Sequence, residues 1–337
     1  CMIEPDRSQI WAFLAAGVLL AITVAIADVT KIYAALVDAE KDILLVGVLL
    51  GVGVLFVRSR VWLVIFDAMG TAKGTLAVFQ LFSVGEFLNN ITPFGQAGGQ
   101  PLMAYVVYDE TEIQYEESLA AVMSGDMFTA VPLVTFGVFS GVFLFINNAL
   151  TELVLDTLVF SLSVILGIFL LLVLLTIFPE ERFGVVDTLR EHVSVGDRIG
   201  SFLIEKIGNM REVFRIVGGN PTHIVRAALF AHLALLADVT VLYVVLSSFD
   251  VSVNPLYLTA IFPVSNLSKL LPTPGGSGGY EFVLATFLTT IAGVNFAVSV
   301  SAVILYRVAT YWVAIVLGYV FISKLGLSIP EHIPRND

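Results

Sequence analysis

The chain has 337 residues, 58% of them hydrophobic and only 13% charged, with a mean hydropathy of +0.93. Soluble domains carry about 25% charged residues, so the composition is that of an integral membrane protein and excludes a soluble domain with a large core. A formal net charge of −11 argues against nucleic acid as a partner, and a single cysteine, Cys1, excludes an intrachain disulfide and a cysteine metal site.

Apolar runs near 20 residues are long enough to cross a bilayer as helices. Residues 10–27 form the first; no basic segment or small-residue cleavage site precedes them, so a retained span is expected. Residues 28–42 read as a polar connection. Residues 43–57 are the second span, closed by Arg58 and Arg60, and 61–70 read as an interfacial stretch. Residues 75–91 run apolar into a first break, and 101–108 lead away from it. An acidic connection, 109–117, precedes a long span at 118–146 and another at 150–178. Residues 179–222 mix charge with apolar residues at helical spacing, the pattern of an amphipathic helix on the cytoplasmic surface. Residues 223–249 span again, 255–271 run into a second break and 279–291 out of it, and 296–322 are the last span before a polar tail.

The two breaks are the chain's main signal. The first reads Asn89-Asn90-Ile91-Thr92-Pro93-Phe94-Gly95-Gln96-Ala97-Gly98-Gly99-Gln100-Pro101 and the second Leu271-Pro272-Thr273-Pro274-Gly275-Gly276-Ser277-Gly278-Gly279-Tyr280-Glu281. Pro removes a helix donor and Gly relaxes the backbone. Backbone groups freed at membrane depth need protein or a wet cavity around them. A broken segment in each half points to a transporter's binding site. Half-helix N-termini at such tips suit a phosphate or carboxylate, and Asn89, Asn90, Thr92, Gln96 and Gln100 add neutral hydrogen-bonding groups. The plainer alternative is that the small residues serve close helix packing and the amides satisfy frayed backbone.

If each break is the tip of a re-entrant hairpin, six full spans and two hairpins result. The fold expected is an all-α membrane protein, one domain over 1–337. A first repeat covers 43–146, with its hairpin near 75–106. A cytoplasmic connection follows at 179–222, then a second repeat at 223–322 with its hairpin near 256–292. Lys and Arg set the orientation and place both termini in the cytoplasm, although the 28–42 connection, placed outside, carries Lys31 and Lys41. Pro93 to Asp126 and Pro274 to Arg307 are both 33 positions, the spacing an inverted duplication would give.

Charges inside apolar segments are paired or line a pathway, since each costs roughly 2.5–3.5 kcal/mol at a helix centre. Glu86, Asp126, Asp238, Lys269, Glu281 and Arg307 are such residues. Arg307, with its bidentate fork, is the leading candidate to hold an anionic headgroup, and Asp126 is its counterpart in the other half. Glu281 could pair with Arg307 or carry a coupling proton, and a purely structural ion network is the alternative for all three. For Lys269 and Asp238 a structural role is favoured. Gly275-Gly276-Ser277-Gly278-Gly279 also matches a serine-hydrolase pattern, but His332, in the tail, is the only later histidine, so no hydrolase is expected. The sequons at Asn90 and Asn266 fall at membrane depth and should stay unmodified. No ATP, dinucleotide or zinc motif appears; no cofactor and no enzyme activity are expected.

Asn-x-x-x-Pro-x-Gly-x-x-Gly-Gly-x-Pro at Asn89–Pro101, Pro-x-Pro-Gly-Gly-x-Gly-x-x-Glu at Pro272–Glu281, and Tyr306-Arg307 resemble the flippase-like transmembrane domain of lysylphosphatidylglycerol synthases, over nearly the whole chain. Gln100 departs from that pattern where a longer basic residue is expected. The resemblance implies movement of a lipid headgroup across the bilayer. It carries importance onto Asn89, Asn90, Pro93, Gly98, Gly99, Asp126, Pro274, Gly275, Gly276, Glu281 and Arg307. In the synthases a separate cytosolic domain charges the lipid; only a short polar tail follows Ile322 in this sequence, so synthase activity is not expected from it. The function expected is a lipid flippase or scramblase for an anionic phospholipid or a polyprenyl-phosphate-linked sugar; the alternative is a secondary transporter of a small soluble anion or ion. The candidate binding residues are Asn89, Asn90, Thr92, Pro93, Gln96, Gly98, Gly99, Gln100, Asp126, Pro274, Gly275, Gly276, Ser277, Gly278, Glu281, Tyr306 and Arg307. The expected partner is a membrane lipid, and a homo-oligomer is compatible with the sequence.

Overall fold

A computed structural model describes residues 7–71, 73–92, 96–111, 113–147, 152–177, 216–217, 219–268, 271 and 273–326. Every regular element among them is helical: α1 (Arg7–Ala27), α2 (Val29–Asp38), α3 (Lys41–Ala68), α4 (Thr75–Ile91), α5 (Gln96–Glu110), α6 (Tyr115–Ile146), α7 (Glu152–Ile177), α8 (Pro221–Ser247), α9 (Pro255–Leu267), α10 (Gly279–Ala292), α11 (Phe296–Arg307) and α12 (Val313–Leu325). A 3₁₀ turn, Pro274–Gly276, precedes α10, and a π turn, Val308–Trp312, joins α11 to α12. The amphipathic connection expected at 179–222 lies almost wholly outside the described residues.

Among the described residues, four elements are long and apolar enough to cross a membrane: α3, α6, α8 and the continuous α11–α12 unit from Phe296 to Leu325. The α1–α2 pair, bent by 84°, makes a fifth candidate. With 17, 15, 13 and 14 residues, α4, α5, α9 and α10 are all shorter than the roughly 20 residues a span needs. The members of each short pair, α4 with α5 and α9 with α10, pack on each other.

Helix starts follow local chemistry. Asn220 and Asn254 each precede a proline at the first helical turn, and their side chains accept from Thr222 N and Leu256 N, both at 3.0 Å. Asn295 caps α11 in the same way through Ala297 N at 3.0 Å. Such caps satisfy donors that the helix leaves open, and proline loses nothing there. Gly293 and Gly326 end α10 and α12 in the left-handed conformation.

Two sequence expectations need correction. Most of residues 28–42, expected as a polar connection, is helical. Asp28 turns the chain at a φ of 69°, accepts from Thr30 N, and starts α2, whose Ile32 is buried while Val29, Tyr33 and Val37 face outward. The second span does not close at Arg58. α3 continues to Ala68, because the apolar run Val61–Phe66 resumes beyond the two arginines and is buried throughout.

The core falls into two apolar clusters. One joins α3–α6 with Ala227 and Ala231 of α8 and Ala314 and Ile322 of α12. The other joins α8–α11 with Leu144 of α6 and Val154 and Leu158 of α7. α3 and α8 share the most extensive helix contact in the bundle, and the second cluster reaches α3 at Val54. α4 leans on both α3 and α12 and touches the 3₁₀ turn of the second break. Gly51 lets α3 approach the π turn closely: a Cβ there would sit 1.7 Å from the Ala309 carbonyl oxygen.

Candidate functional site

Where α3, α4, α8, the second break and the π turn converge, a cavity of about 80 Å³ opens inside the bundle. That is room for a few waters or part of a polar headgroup. Apolar walls come from Val54, Leu55 and Ala314, and the polar lining is mostly ionic and aromatic: Arg58, Glu86, Asn89, Asn90, Asp238, Tyr280, Tyr306, Arg307, Thr310 and Tyr311. The tip residue Gly275 completes it.

Two ion pairs organise the lining. Arg58 Nη2 donates to Asp238 Oδ2, and the phenol of Tyr306 donates to Asp238 Oδ1 at 3.1 Å. Arg58 Nη1 also lies 4.0 Å from Glu86 Oε2. Arg307 Nε donates to Glu281 Oε1 at 2.6 Å, and its Nη2 to the Gly275 carbonyl at 3.3 Å and to Ser277 Oγ at 3.0 Å. The guanidinium carbon lies 3.9 Å from the centre of the Tyr311 ring and 5.2 Å from that of Tyr280, so cation–π attraction holds it as well. Arg307 thus knits α11 to the second break, and its Nη1 is the one guanidinium nitrogen without a bond among the described residues.

The break itself is built on glycine. Gly275, Gly276 and Gly278 have φ of 55°, 69° and 86°, a region that costs an L side chain energy. A Cβ on Gly275 would also lie 2.5 Å from the Tyr311 ring and 2.9 Å from Asn90 Oδ1, so this position is where the two breaks touch. Tyr311 Oη donates to the Asn90 carbonyl at 3.0 Å, adding a bond from the last span to the first break. The start of α10 is closed from within: Glu281 Oε2 accepts from Gly278 N at 2.5 Å, so that donor is already occupied.

Of the residues singled out from sequence, Asn89, Asn90, Gly275, Tyr306 and Arg307 line the cavity, and Glu281 and Ser277 hold Arg307 from behind. Pro274, Gly276 and Gly278 shape the tip without lining the cavity, and Gly278 backs onto α1 at Ala16 and Leu19. Gly99 receives Asn89: a Cβ there would fall 2.1 Å from Asn89 Oδ1. Thr92 is buried with its hydroxyl donating to Leu88 O at 2.8 Å. Gln100 and Asp126 bond to each other at 2.6 Å between α5 and α6, away from the cavity. Pro93 and Lys269 lie outside the described residues, as do the side chains of Gln96 and Gly98.

Arg58, Tyr280, Thr310 and Tyr311 complete the site and are not singled out in the sequence; Glu86 and Asp238, noted there as intramembrane charges but not as binding residues, also line it. Arg58 was hidden by ending a span at Val57. One signal could have found it: Arg58 and Asp238 stand 180 positions apart, close to the spacing of the two breaks. Asp238 is the buried anion of the central pair, 2% exposed.

Comparison with known proteins agrees with the motifs. Residues 9–318 match the lysylphosphatidylglycerol synthase transmembrane region. A membrane protein of Methanothermobacter thermautotrophicus, of the group UPF0104, is 24% identical over 330 residues, covering 94% of this chain and 95% of its own. A UPF0104 protein of Methanocaldococcus jannaschii is 22% identical over 94% of this chain and 95% of its own, and one of Pyrococcus horikoshii 21% over 72% and 74%. With a match over nearly its full length, this multi-pass membrane protein belongs to the lysylphosphatidylglycerol synthase transmembrane region family.

Proposed function

We propose that the protein is a lipid flippase or scramblase, not an enzyme, and that it passes the headgroup of an anionic phospholipid or a polyprenyl-phosphate-linked sugar through the cavity while the tails stay in the bilayer. The observation that carries this reading is the meeting of both breaks on one ionic cavity, at Asn90 and Gly275. Charged side chains so deep in a bundle are costly and mark a pathway by default. Arg307 Nη1, without a bond among the described residues, and the amides of Asn89 and Asn90 are the groups that would meet phosphate and hydroxyls.

In this reading α4–α5 and α9–α10 are re-entrant hairpins of an inverted repeat, with both chain termini in the cytoplasm. The element starts support it: α3, α4 and α6 begin at 41, 75 and 115, and α8, α9 and α11 at 221, 255 and 296, offsets of 180, 180 and 181. The bonded pairs Gln100–Asp126 and Glu281–Arg307 share the same internal separation of 26. The two hairpins would rock to expose the cavity to alternate leaflets.

A cavity of only about 80 Å³ favours one second reading, a carrier of a small soluble anion or ion. The test is reconstitution. Vesicles holding the protein should expose a fluorescent-headgroup anionic phospholipid of the inner leaflet to an external quencher faster than empty vesicles do. Arg307→Lys should slow this by loss of the fork. Quenching no faster than in empty vesicles, with uptake of inorganic phosphate instead, would replace the lipid reading by the second one.

A further inference from the structure

Resting on the transport reading, we infer that Glu86 is a specificity-determining residue: its carboxylate accepts from hydroxyls of the headgroup while Arg307 holds the phosphate, so the site selects a phosphate ester of a polyol over a plain phosphate ester or an amine. The charged side chains lining the cavity, Arg58 and Arg307 against Glu86 and Asp238, balance. What the described lining offers a guest is therefore bonding capacity. On the donor side it is Nη1 of Arg307, which has no bond among the described residues. On the acceptor side, Asp238 is occupied by Arg58 and Tyr306. Glu281, behind Arg307, is occupied by Arg307 Nε and the Gly278 N–H.

Glu86 differs. It makes no hydrogen bond among the described residues, and its ion-pair partner Arg58 stands 4.0 Å away, beyond hydrogen-bond reach. Its side chain is 20% exposed and lines the cavity. An ionised carboxylate is an acceptor only, with about four lone-pair sites. Glu86 precedes Asn90 by four positions on α4, and residues four apart share a helix face; Asn90 lines the cavity as well. The helix that leads into the first break thus brings acceptors to the space into which the last span brings a cationic donor. A guest that answers both carries a phosphate at one end and hydrogen-bond donors at the other.

The donor that fits Glu86 is a hydroxyl rather than an ammonium. Glu86 already has its counter-charge in Arg58, and an ammonium bonded to the carboxylate would lie beside that guanidinium, cation against cation. A hydroxyl carries no charge and forms a strong charge-assisted bond to a carboxylate oxygen. Two such oxygens accept from two neighbouring hydroxyls, the pattern of glycerol or a sugar ring. A phosphate ester without hydroxyls leaves the carboxylate unanswered in a space from which the headgroup has displaced water, and that mismatch lowers its affinity.

Purified protein in detergent tests this with soluble esters, because a ligand that binds the native state raises the unfolding midpoint. Glycerol phosphate should raise it at concentrations on the order of ten- to a hundredfold lower than methyl phosphate, the contribution of a charge-assisted hydrogen bond. Phosphoethanolamine should do no better than methyl phosphate. Glu86→Ala should erase the preference for glycerol phosphate and leave the response to methyl phosphate; Glu86→Gln, which keeps one acceptor oxygen, should retain part of the preference. Equal responses to glycerol phosphate and methyl phosphate, no response to either, a stronger response to phosphoethanolamine, or a preference that survives Glu86→Ala would each overturn the inference. Vesicles separate it from the transport reading. With acyl-labelled lipids, phosphatidylglycerol should reach an external quencher faster than phosphatidylmethanol in wild-type vesicles, and the two should move alike in Glu86→Ala. Both lipids moving at one rate in the wild type would refute the inference and leave lipid transport standing. A glycerol phosphate preference in a protein that moves neither lipid but takes up soluble glycerol phosphate would retain the polyol site and remove the lipid.

Discussion

Arg58 on α3 and Asp238 on α8 are bonded inside the bundle across 180 positions of chain. Their pairing joins the two helices that make the most extensive contact among the described elements. Asp238 is buried, while the Arg58 side chain keeps 28% of its surface at the cavity. Removing one member of such a pair leaves the other uncompensated, which costs up to about 3–5 kcal/mol when both are buried. With Arg58 partly open to the cavity, Asp238→Asn should cost about 2 kcal/mol, read as a lowered unfolding midpoint in detergent. If the two halves are repeats, as proposed, Arg58 and Asp238, 180 positions apart, are near-equivalent, and the exchange Arg58→Asp with Asp238→Arg should recover more than half of that loss. An exchange no more stable than either single variant would show that the pair is not interchangeable across the halves.

Two glycines on α3 make a controlled comparison. A methyl on Gly47 would meet only Val245 Cγ2 at 3.5 Å, an ordinary contact, whereas one on Gly51 would collide with the Ala309 carbonyl at 1.7 Å. Alanine in place of helical glycine gains about 0.8–1 kcal/mol of intrinsic preference at either site. Gly47→Ala should therefore be neutral or slightly stabilising. Gly51→Ala adds an overpacking cost of about 1–3 kcal/mol and pushes the π turn, with Tyr311, off the cavity. Its unfolding midpoint should fall below that of Gly47→Ala, and a rise equal to that of Gly47→Ala would mean that α3 and the π turn do not touch.

How legible this was from sequence depends on the type of signal. Long apolar runs and proline-glycine breaks are local, so α6, α8, the last span and the positions of both short helix pairs could be read directly. Arg307 was legible because one charge in a long apolar run has few explanations. Its partners were legible only in part: Glu281 lies in the same motif, but Tyr280 and Tyr311 look like any aromatic residue of a membrane helix until the fold stacks them on the guanidinium. Arg58 was misread because a charge near the end of an apolar window is ambiguous. It can close a span at the interface or face a buried acid, and only the partner helix decides. The α1–α2 elbow was missed because Asp28, Lys31 and Asp38 outweigh, in composition, the apolar stripe that makes Val29–Asp38 a helix.

Opposite entry of the two hairpins is testable by labelling. In a Cys1→Ser background, single cysteines at Phe94 and Ser277 should react with an impermeant maleimide from opposite sides of sealed vesicles. Labelling of both from the same side would remove the inverted orientation while leaving the cavity as described.

Tyr311→Phe probes the contact between the two breaks. The ring stays against Arg307, 3.9 Å from the guanidinium carbon, and only the hydroxyl bond to the Asn90 carbonyl at 3.0 Å is lost. One neutral hydrogen bond contributes about 0.5–1.5 kcal/mol, so the unfolding midpoint should fall slightly. If the breaks separate during each transport cycle, the bond must be made and broken every time, and its loss should change the rate of lipid exposure more than it changes stability. A variant with unchanged transport and a lowered midpoint would make the Tyr311–Asn90 bond a fixed strut, and the two breaks would then move as one body.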